Sequence, residues 1–378
     1  MRKLGFGSCN NQHKAQDVWK AIRKEKLDLW VWLGDVVYAD RQSIIPFIWR
    51  SPQMDEMRET YHYQKNSKFY QAFQKICPII GVWDDHDYGK NDGGGEYEHK
   101  ETAKEIFLDF LDTPKDAQQY QHNGVYASYS YGPIGKKVKV ILLDVRYFKT
   151  EEEILGEEQW LWLEKELKDS DAQVHLIGSG TQILTTDKPF CDKWSEKEIE
   201  RLSLIIKTHS VPGVILLSGD VHHAEILKDS CDELDYPLYE ITSSGMTHSF
   251  YSQATILGEW AVKYFLTSER RLGVYARQNY GTILFDWETP AVTLQIHSDD
   301  GELVLEQVVP LGHLRKGGDG VLEKGGCVLN YGWMNWKLIP KSTAKLFLFI
   351  PIFVPIILIL FWAQKTFLKK NNDKQKTS

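Results

Sequence analysis

The chain has 378 residues, of which 42% are hydrophobic and 26% charged, so it holds enough apolar material for one large or two ordinary globular domains. Its net charge of −7 is uneven, because residues 337–378 contribute +7 and residues 1–336 contribute −14. Such an acidic body argues against a nucleic-acid-binding surface, and it means that an anionic substrate would have to find its positive charge at a bound metal ion.

Apolar strand patterns and amphipathic helix patterns alternate along most of the chain, which favours α/β layers. Strands are predicted over 3–8, 27–35, 76–87, 125–133, 137–147, 174–182 and 213–223, and helices over 15–26, 55–75, 98–111, 156–167 and 195–207. The pair 125–133 and 137–147 predicts a hairpin. From residue 239 onward the pattern is mainly strands, which predicts a second, partly antiparallel sheet.

The C-terminal part carries seventeen consecutive residues without a charge, LFLFIPIFVPIILILFW at 346–362, between Lys345 and Lys365. As a helix this run spans about 26 Å, close to the roughly 30 Å of a bilayer core, and the two lysines suit the interfaces. We therefore predict a transmembrane helix at 346–363. The predicted organisation is a domain at 1–310, a linker or juxtamembrane segment at 311–345, the helix, and a short basic tail at 364–378.

The orientation of the predicted anchor stays open. The start, MRKLGFGSCN, runs into a strand without the pattern of a secretory leader, which on its own favours a tail-anchored protein with a cytosolic body. The basic tail instead favours a cytosolic C-terminus, because positively charged flanks of a transmembrane helix stay on the cytosolic side. We therefore expect the body on the lumenal or extracellular side. Five cysteines without a CxxC pair fit either two disulfides plus one special thiol or five reduced thiols. No oligomeric state is predicted.

Several apolar strands end abruptly in side chains of metal-ligand type. In chain order these endings carry Cys9 and Asn10; Asp35, Tyr38 and Asp40; Asp84, Asp85, His86, Asp87 and Asn91; Asp144 and Arg146; and Asp220, His222, His223 and Glu225. Because ligands gather at the carboxyl ends of strands in open α/β sheets, endings that are far apart in sequence can share one pocket. So many like charges at buried strand ends are tolerable only beside a cation.

The types of side chain limit which metal ions the site could bind. A thiolate with a phenolate favours a strongly Lewis-acidic ion such as ferric iron, whereas carboxylate and amide oxygens favour calcium, magnesium or manganese. Two adjacent cations can polarise a phosphoryl group and deprotonate a water molecule. Arg146 could bind phosphate oxygens bidentately, and His86 could protonate the leaving oxygen. Taken singly, each of these residues also fits a turn, a core position or a structural ion pair.

Seven motifs in order resemble the PhoD-like (alkaline phosphatase D) metallophosphatase family. They are FGSCN at 6–10, WLGDVVYAD at 32–40, WDDHDYGKND at 83–92, LLDVRYF at 142–148, GEEQWLWLEKEL at 156–167, LSGDVHHAEI at 217–226 and TSSGMTHS at 242–249. The resemblance implies a four-layer α/β/β/α sandwich, hydrolysis of phosphoesters, and an iron–calcium cluster with a thiolate and a tyrosinate on the iron.

Carried over by motif position, the implied iron ligands are Cys9, Asp35, Tyr38 and His222. Asp35 would bridge to calcium, and Asn91 and Asp220 would complete the calcium sites. The resemblance leaves open whether Asp84 or Asp85 also ligates, and Asp85 is assigned here. His86 would protonate the leaving group, Arg146 would contact the phosphate, and His248 would line the pocket. GSC and GDVH stand where general metallophosphatases carry D-x-H and G-H-x-H, so Mn²⁺, Mg²⁺ and Zn²⁺ are the alternative metals rather than the expectation.

The leading hypothesis is therefore a membrane-anchored phosphoesterase that acts on phosphate monoesters, diesters or both by attack of a metal-activated water. One alternative is a catalytically inactive, membrane-anchored binding module on the same fold. Another is a structural protein anchored by its tail in the cytosol. The expected partners are a phosphoester substrate and, through the predicted C-terminal helix, a membrane.

Overall fold

Two large β-sheets dominate the computed structural model, which describes residues 1–42, 49–188, 192–230 and 234–320. The strands in these ranges are β1 (Lys3–Gly7), β2 (Leu29–Leu33), β3 (Arg41–Gln42), β4 (Trp49–Arg50), β5 (Ile79–Val82), β6 (Ala127–Tyr131), β7 (Val138–Leu143), β8 (Val174–Ser179), β9 (Val214–Ser218), β10 (Ala224–Asp229), β11 (Leu238–Ser243), β12 (Arg271–Tyr275), β13 (Asn279–Asp286), β14 (Ala291–Ser298) and β15 (Leu303–Pro310).

Eight α-helices accompany these strands in the described ranges. They are α1 (Val18–Ile22), α2 (Met54–Lys65), α3 (Lys68–Gln74), α4 (Asp85–Tyr88), α5 (Lys100–Phe110), α6 (Gly156–Lys168), α7 (Glu196–Thr208) and α8 (Phe250–Tyr264). Short 3₁₀ helices occur at Arg23–Glu25, Gln118–Tyr120 and Leu311–His313. Contacts divide the chain into one unit of Met1–Thr186 with Asp192–Leu329 and another of Asp187–Cys191 with Asn330–Ser378; the features described below belong to the first.

Both large sheets mix parallel and antiparallel pairs. The first has the order β15-β14-β13-β1-β2-β5, in which β1, β2 and β5 run parallel to one another and the other pairs are antiparallel. The second has the order β12-β10-β11-β9-β8-β7-β6, in which β7, β8, β9 and β11 are parallel neighbours. The hairpin predicted from the sequence is the antiparallel pair β6–β7, so that prediction is confirmed.

The sheets pack face to face, and the alternation of side chains in β2 shows how. Leu33 points towards the second sheet, where a Cβ added to Gly178 of β8 would lie only 2.8 Å from its Cδ2 atom. Trp30 and Trp32 point the other way and meet Trp19 of α1, with ring centroids 5.1 and 5.4 Å apart. Because both faces of β2 are covered, all five of its residues are buried, as is typical of parallel strands.

Three details differ from the predicted elements. The single helix expected at 55–75 is two helices, because the chain leaves helical geometry at Ser67 (φ −63°, ψ 136°) before α3. The residues after the apolar strand β5 form the short helix α4 instead of extending the strand. Finally, α8 lies where strands were expected. Thr255 inside it has a non-helical φ of 51°, which interrupts the 3.6-residue periodicity on which sequence-based recognition depends.

The two-sheet α/β fold is thus confirmed, while the four-layer order and the domain boundaries stay predictions. Within the described ranges, no helix combines the length and the apolar character needed to cross a bilayer. The predicted span at 346–363 lies outside those ranges, as do the tail and Cys191, Cys231 and Cys327. Cys9 and Cys77 are buried free thiols.

Candidate metal centre

The ends of parallel strands from both sheets deliver the predicted ligands to one place. Cys9 follows β1, Asp35 follows β2, Asp84 and Asp85 follow β5, and Asp220 and His222 follow β9. These strands lie side by side within their sheets, and the sheets face each other, so endings more than two hundred residues apart in sequence converge. The convergence predicted from the strand endings is what the fold produces.

The first group of potential ligands combines sulfur, oxygen and nitrogen. Ligand atoms of Cys9, Asp35 and His222 all lie within 4.8 Å of one another. The Tyr38 hydroxyl joins them, at 3.2 Å from Asp35 Oδ2 and 3.2 Å from His222 Nε2. A thiol, a carboxylate, an imidazole and a phenol that share one space form a donor set that suits a transition metal.

A second group shares one member with the first. Ligand atoms of Asp35, Asp85 and His86 also lie within 4.8 Å of one another. Asp35 therefore stands between two potential ion sites, which is the position that a bridging carboxylate requires. The structure brings these residues together, and their assignment as ligands remains a prediction.

Asp220 and Asn91 lie at the margin of these groups. The carbonyl oxygen of Asp220 is 3.7 Å from Cys9 Sγ, and burial followed by the charges of Asp84 and Asp85 raises the pKa of its carboxyl well above the ordinary value. The Asn91 backbone lies near Asp40, where it opposes the rise in the pKa of that carboxyl that burial causes. A calcium-binding role for the Asn91 side chain stays a prediction.

Four of the seven predicted ligands have a backbone conformation that non-glycine residues rarely adopt. The φ angles are 58° at Cys9, 51° at Asp35, 72° at Asp220 and 54° at His222. Each such residue costs on the order of 1–2 kcal/mol, so it persists only where its surroundings hold it in place. Here the Asn10 N–H donates to the Asp35 carbonyl at 2.8 Å. Strain concentrated at these positions is typical of functional sites.

The carboxylates of the site are buried without full hydrogen bonding. Among the described residues, Asp35 Oδ1, Asp84 Oδ2 and Asp85 Oδ1 lack a hydrogen-bond partner. Without a cation, burial raises the pKa of Asp35 to about 8 and that of Asp84 to about 6. For Asp85 the positive charges of His86 and Arg146 outweigh burial and lower its pKa. Unpaired buried oxygens on three neighbouring acids fit polyvalent cations well.

Arg146 lies behind the site in a buried ion-pair network. Its side chain is 0% exposed, its Nε donates to Asp84 Oδ1 at 2.5 Å, and its Nη1 donates to Asp192 Oδ2 at 2.8 Å. Its Nη2 has no hydrogen-bond partner among the described residues. Two of the three guanidinium nitrogens are thus engaged by protein carboxylates, which leaves only Nη2 for the predicted phosphate contact. Asp144 lies apart from the ligands and accepts hydrogen bonds from Trp83 and from backbone N–H groups.

His86 and His248 flank the Tyr38 ring. The centroid of the His86 ring is 4.2 Å from that of Tyr38 and 4.6 Å from that of Trp49. Nearby acids, Asp85 foremost, outweigh burial and raise the pKa of His86 well above its usual value. Nε2 of His248 lies 2.9 Å from the Tyr38 hydroxyl, and burial lowers the His248 pKa to about 2. Acids therefore surround His86, whereas His248 packs against Tyr38 and His222.

Two residues at the site received no role from the sequence. Ser244 Oγ lies 3.0 Å from Cys9 Sγ and accepts the His222 N–H at 2.7 Å, so it contacts both predicted ligands. Asp40 Oδ1 lies 2.7 Å from His86 Nδ1 and orients that ring. Both residues occur inside quoted motifs, and their polar character beside a ligand was the available signal.

Three comparisons with known proteins bear on the family and the fold. The family model described as PhoD-like phosphatase matches residues 4–296. Alkaline phosphatase D of Bacillus subtilis (strain 168) is 22% identical over 278 residues, which cover 58% of this chain and 45% of that protein. The chain thus spans less than half the length of this curated relative.

A solved structure described as "Structure of PhoD" superposes with a TM-score of 0.58 at 17% identity, over 86% of this chain and 73% of the other. At that identity the likeness supports the fold alone. The family model covers well over half of the sequence, and the prediction made from the motifs is confirmed. The chain belongs to the PhoD-like phosphatase family.

Proposed function

We propose that this protein is a metal-dependent phosphoesterase that hydrolyses phosphate monoesters, diesters or both. The observation that carries the proposal is the position of Asp35 between two groups of potential ligands, one with Cys9 and His222 and one with Asp85 and His86. Family membership supports the same reaction class. An inactive binding module would have no need for three buried acids with unpaired oxygens.

The donor sets also suggest how two ions would be distributed. Cys9, Tyr38, Asp35 and His222 would hold Fe³⁺, and Asp35, Asp85, Asn91 and Asp220 would hold Ca²⁺, with Mn²⁺, Mg²⁺ or Zn²⁺ as alternatives. When bound, such a pair supplies a nucleophilic hydroxide at neutral pH and neutralises charge on the phosphoryl oxygens.

The protein's own side chains do the rest of the work. Asp40 Oδ1 holds His86 through Nδ1 at 2.7 Å, so Nε2 would be the nitrogen that gives a proton to the leaving oxygen. Arg146 holds Asp84 through its Nε, and its Nη2 would be the donor that binds a phosphate oxygen. Tyr38 and His248 form a hydrogen-bonded wall that orients the substrate. Membrane anchoring by residues 346–363, with the body lumenal or extracellular, belongs to the proposal as well.

The test is turnover of p-nitrophenyl phosphate by the full chain, together with elemental analysis for iron and calcium. We expect turnover by the wild type and its loss in His222→Ala, with the circular dichroism of the folded protein retained. His209→Gln is the matched control, because His209 bonds Glu164 away from the site. Equal turnover by wild type and His222→Ala would exclude the proposed centre, and so would metal-free protein that is fully active.

A further inference from the structure

A groove of about 430 Å³ lies beside the metal centre, on the side of the loop that follows β1. One wall comes from that loop through Gln12 and Lys14. The opposite wall comes from the junction of α2 and α3, where Tyr63, Lys68 and Phe69 face the groove. The junction exists because the helix expected at 55–75 breaks, so the groove depends on a feature that the sequence pattern did not predict.

Two observations connect this groove to the metal centre. Gln12 binds the backbone of Tyr38 on both sides, since its Nε2 donates to the Tyr38 carbonyl at 3.0 Å and its Oε1 accepts the Tyr38 N–H at 2.9 Å. Lys14 belongs to the same loop, which follows the predicted ligand Cys9 at the end of β1. Gln12 therefore joins one wall of the groove directly to the backbone of a predicted metal ligand.

The lining of the groove has a consistent chemical character. Nine residues line it, none of them acidic, although residues 1–336 as a whole carry −14. Lys14 and Lys68 form no ion pair with any described residue, and Asn66 is held by His62, to whose carbonyl its Nδ2 donates at 2.8 Å. The rings of Tyr63 and Phe69 offer apolar surface between the charges. Lysines around aromatic rings suit an anion carried on a carbon skeleton.

We propose that this groove binds a second anionic group of the substrate. That group belongs to the leaving group, the part of the substrate that departs when the phosphoryl group is transferred to water. Lys14 and Lys68 contact that anion, and Tyr63 and Phe69 pack against the skeleton that joins it to the reacting phosphate. The substrate class is then a phosphoester that carries a further phosphate or carboxylate. Its connection to catalysis depends on the proposed phosphoesterase function, but the capacity of the groove to bind an anion does not.

The first experiment measures binding without turnover, using the full chain and benzene-1,4-disulfonate, a flat dianion that cannot be hydrolysed. Isothermal titration compares the wild type with Lys14→Gln, Lys68→Gln and the double variant. Lys197→Gln on the exposed surface of α7 is the control. We expect each single variant to bind about tenfold more weakly, since one lost charge-assisted contact has an effect of that order. Equal affinity of the wild type and the double variant would overturn the groove as an anion site.

The second experiment measures substrate preference. Phosphate release from 4-carboxyphenyl phosphate is compared with release from phenyl phosphate, as the ratio of the two kcat/KM values. We expect Lys68→Gln to lower this ratio about tenfold, mainly through KM, and Lys197→Gln to leave it at the wild-type value. An unchanged ratio in Lys68→Gln would refute the link to the substrate. If no protein, wild type included, releases phosphate, the proposed function fails, while the titration still decides whether the groove binds anions.

Discussion

Two clusters of buried acids lie in this molecule, and they are built on opposite principles. At the metal centre, Asp35, Asp84 and Asp85 each leave one carboxylate oxygen without a hydrogen-bond partner among the described residues. In strand β11 of the second sheet, Glu240 is equally buried, but its oxygens accept from Ser218 Oγ at 2.6 Å and from the backbone N–H groups of residues 183 and 184 at 2.9 and 2.6 Å.

The neighbour of Glu240 is built in the same way. Glu225 accepts from Gln182 Nε2 at 2.6 Å and from Arg271 Nε at 2.8 Å, so each of its oxygens has a donor. Burial alone therefore does not identify a functional acid, because both clusters are inaccessible. What distinguishes them is whether the protein itself satisfies the oxygens. The glutamate oxygens all have protein donors, whereas each aspartate keeps one oxygen without a partner among the described residues, as a cation-binding site would.

The largest expected effect is on activity. Asp35→Asn should lower turnover by more than about 100-fold, the upper end of losses seen for residues that only orient metal ligands. The fold should persist, because asparagine tolerates a left-handed backbone and a neutral amide relieves the unpaired buried charge. Steady-state kinetics and urea unfolding of metal-free protein check both points. A metal-free variant much less stable than the wild type would show that Asp35 is a structural acid after all.

Glu240→Ala should have the reverse profile. Removing this carboxylate leaves one hydroxyl and two backbone N–H groups buried without an acceptor, and the loss of stability should be about 3 kcal/mol. Turnover per folded molecule should change little, since Glu240 is not among the potential ligands. Chemical denaturation with activity normalised to the folded fraction measures both. A stable but inactive variant would erase the distinction between the two clusters.

Removing the metal should sharpen the contrast further. An ion that binds only the folded state stabilises it by about 2.7 kcal/mol when the free ion is about 100 times its Kd. Chelation should therefore lower the unfolding free energy of the wild type, and do so much less in Asp35→Asn. Thermal unfolding with and without chelator gives the measurement, and equal losses in both proteins would place the stabilising ion elsewhere.

The smallest expected effect concerns His175, a buried histidine whose two ring nitrogens both have hydrogen-bond partners. Its Nδ1 lies 2.7 Å from the Pro212 carbonyl and its Nε2 lies 2.8 Å from Ser170 Oγ, and burial lowers its pKa to about 4. The unfolded state, with a histidine pKa near 6.5, then binds more protons between pH 6.5 and 4, so stability falls as the pH falls through this window.

At about pH 5 the loss relative to about pH 7.5 should be about 2 kcal/mol. His175→Gln should abolish this part of the pH dependence. Urea unfolding of metal-free wild type and variant at both pH values isolates it, because the groups of the metal centre titrate in both proteins. Identical pH dependence of the two proteins would mean that His175 is protonated in the folded state.

Much of the clustering could be predicted from sequence because most of the predicted ligands follow an apolar strand, and the carboxyl ends of parallel strands meet at one edge. Cys9, Asp35 and His222 were predicted in this way. Their supports could not be, since the contact of Ser244 with Cys9 joins residues 235 apart and exists only once the sheets have packed. Arg146 was predicted to contact phosphate, and its ion pairs with Asp84 and Asp192 likewise form only once the chain has folded.

The fold follows the same division. Strands with continuous apolar residues, such as β2 and β9, were visible locally, and the hairpin followed from its short connection. Helix α8 was not, because a kink at Thr255 breaks its pattern, and the groove beside α2 and α3 depends on where two helices separate. Sequence patterns therefore identify a helix or strand only as far as its periodicity continues without interruption.

The left-handed backbone at Cys9, Asp35, Asp220 and His222 has a consequence for how this protein can change. Glycine would relieve the conformational cost at any of these positions, so selection for stability alone favours deleting the side chain. Each such gain would remove a candidate ligand. Engineers who screen variants by melting temperature should therefore expect their most robust hits at these four positions to be inert, and should screen for turnover first.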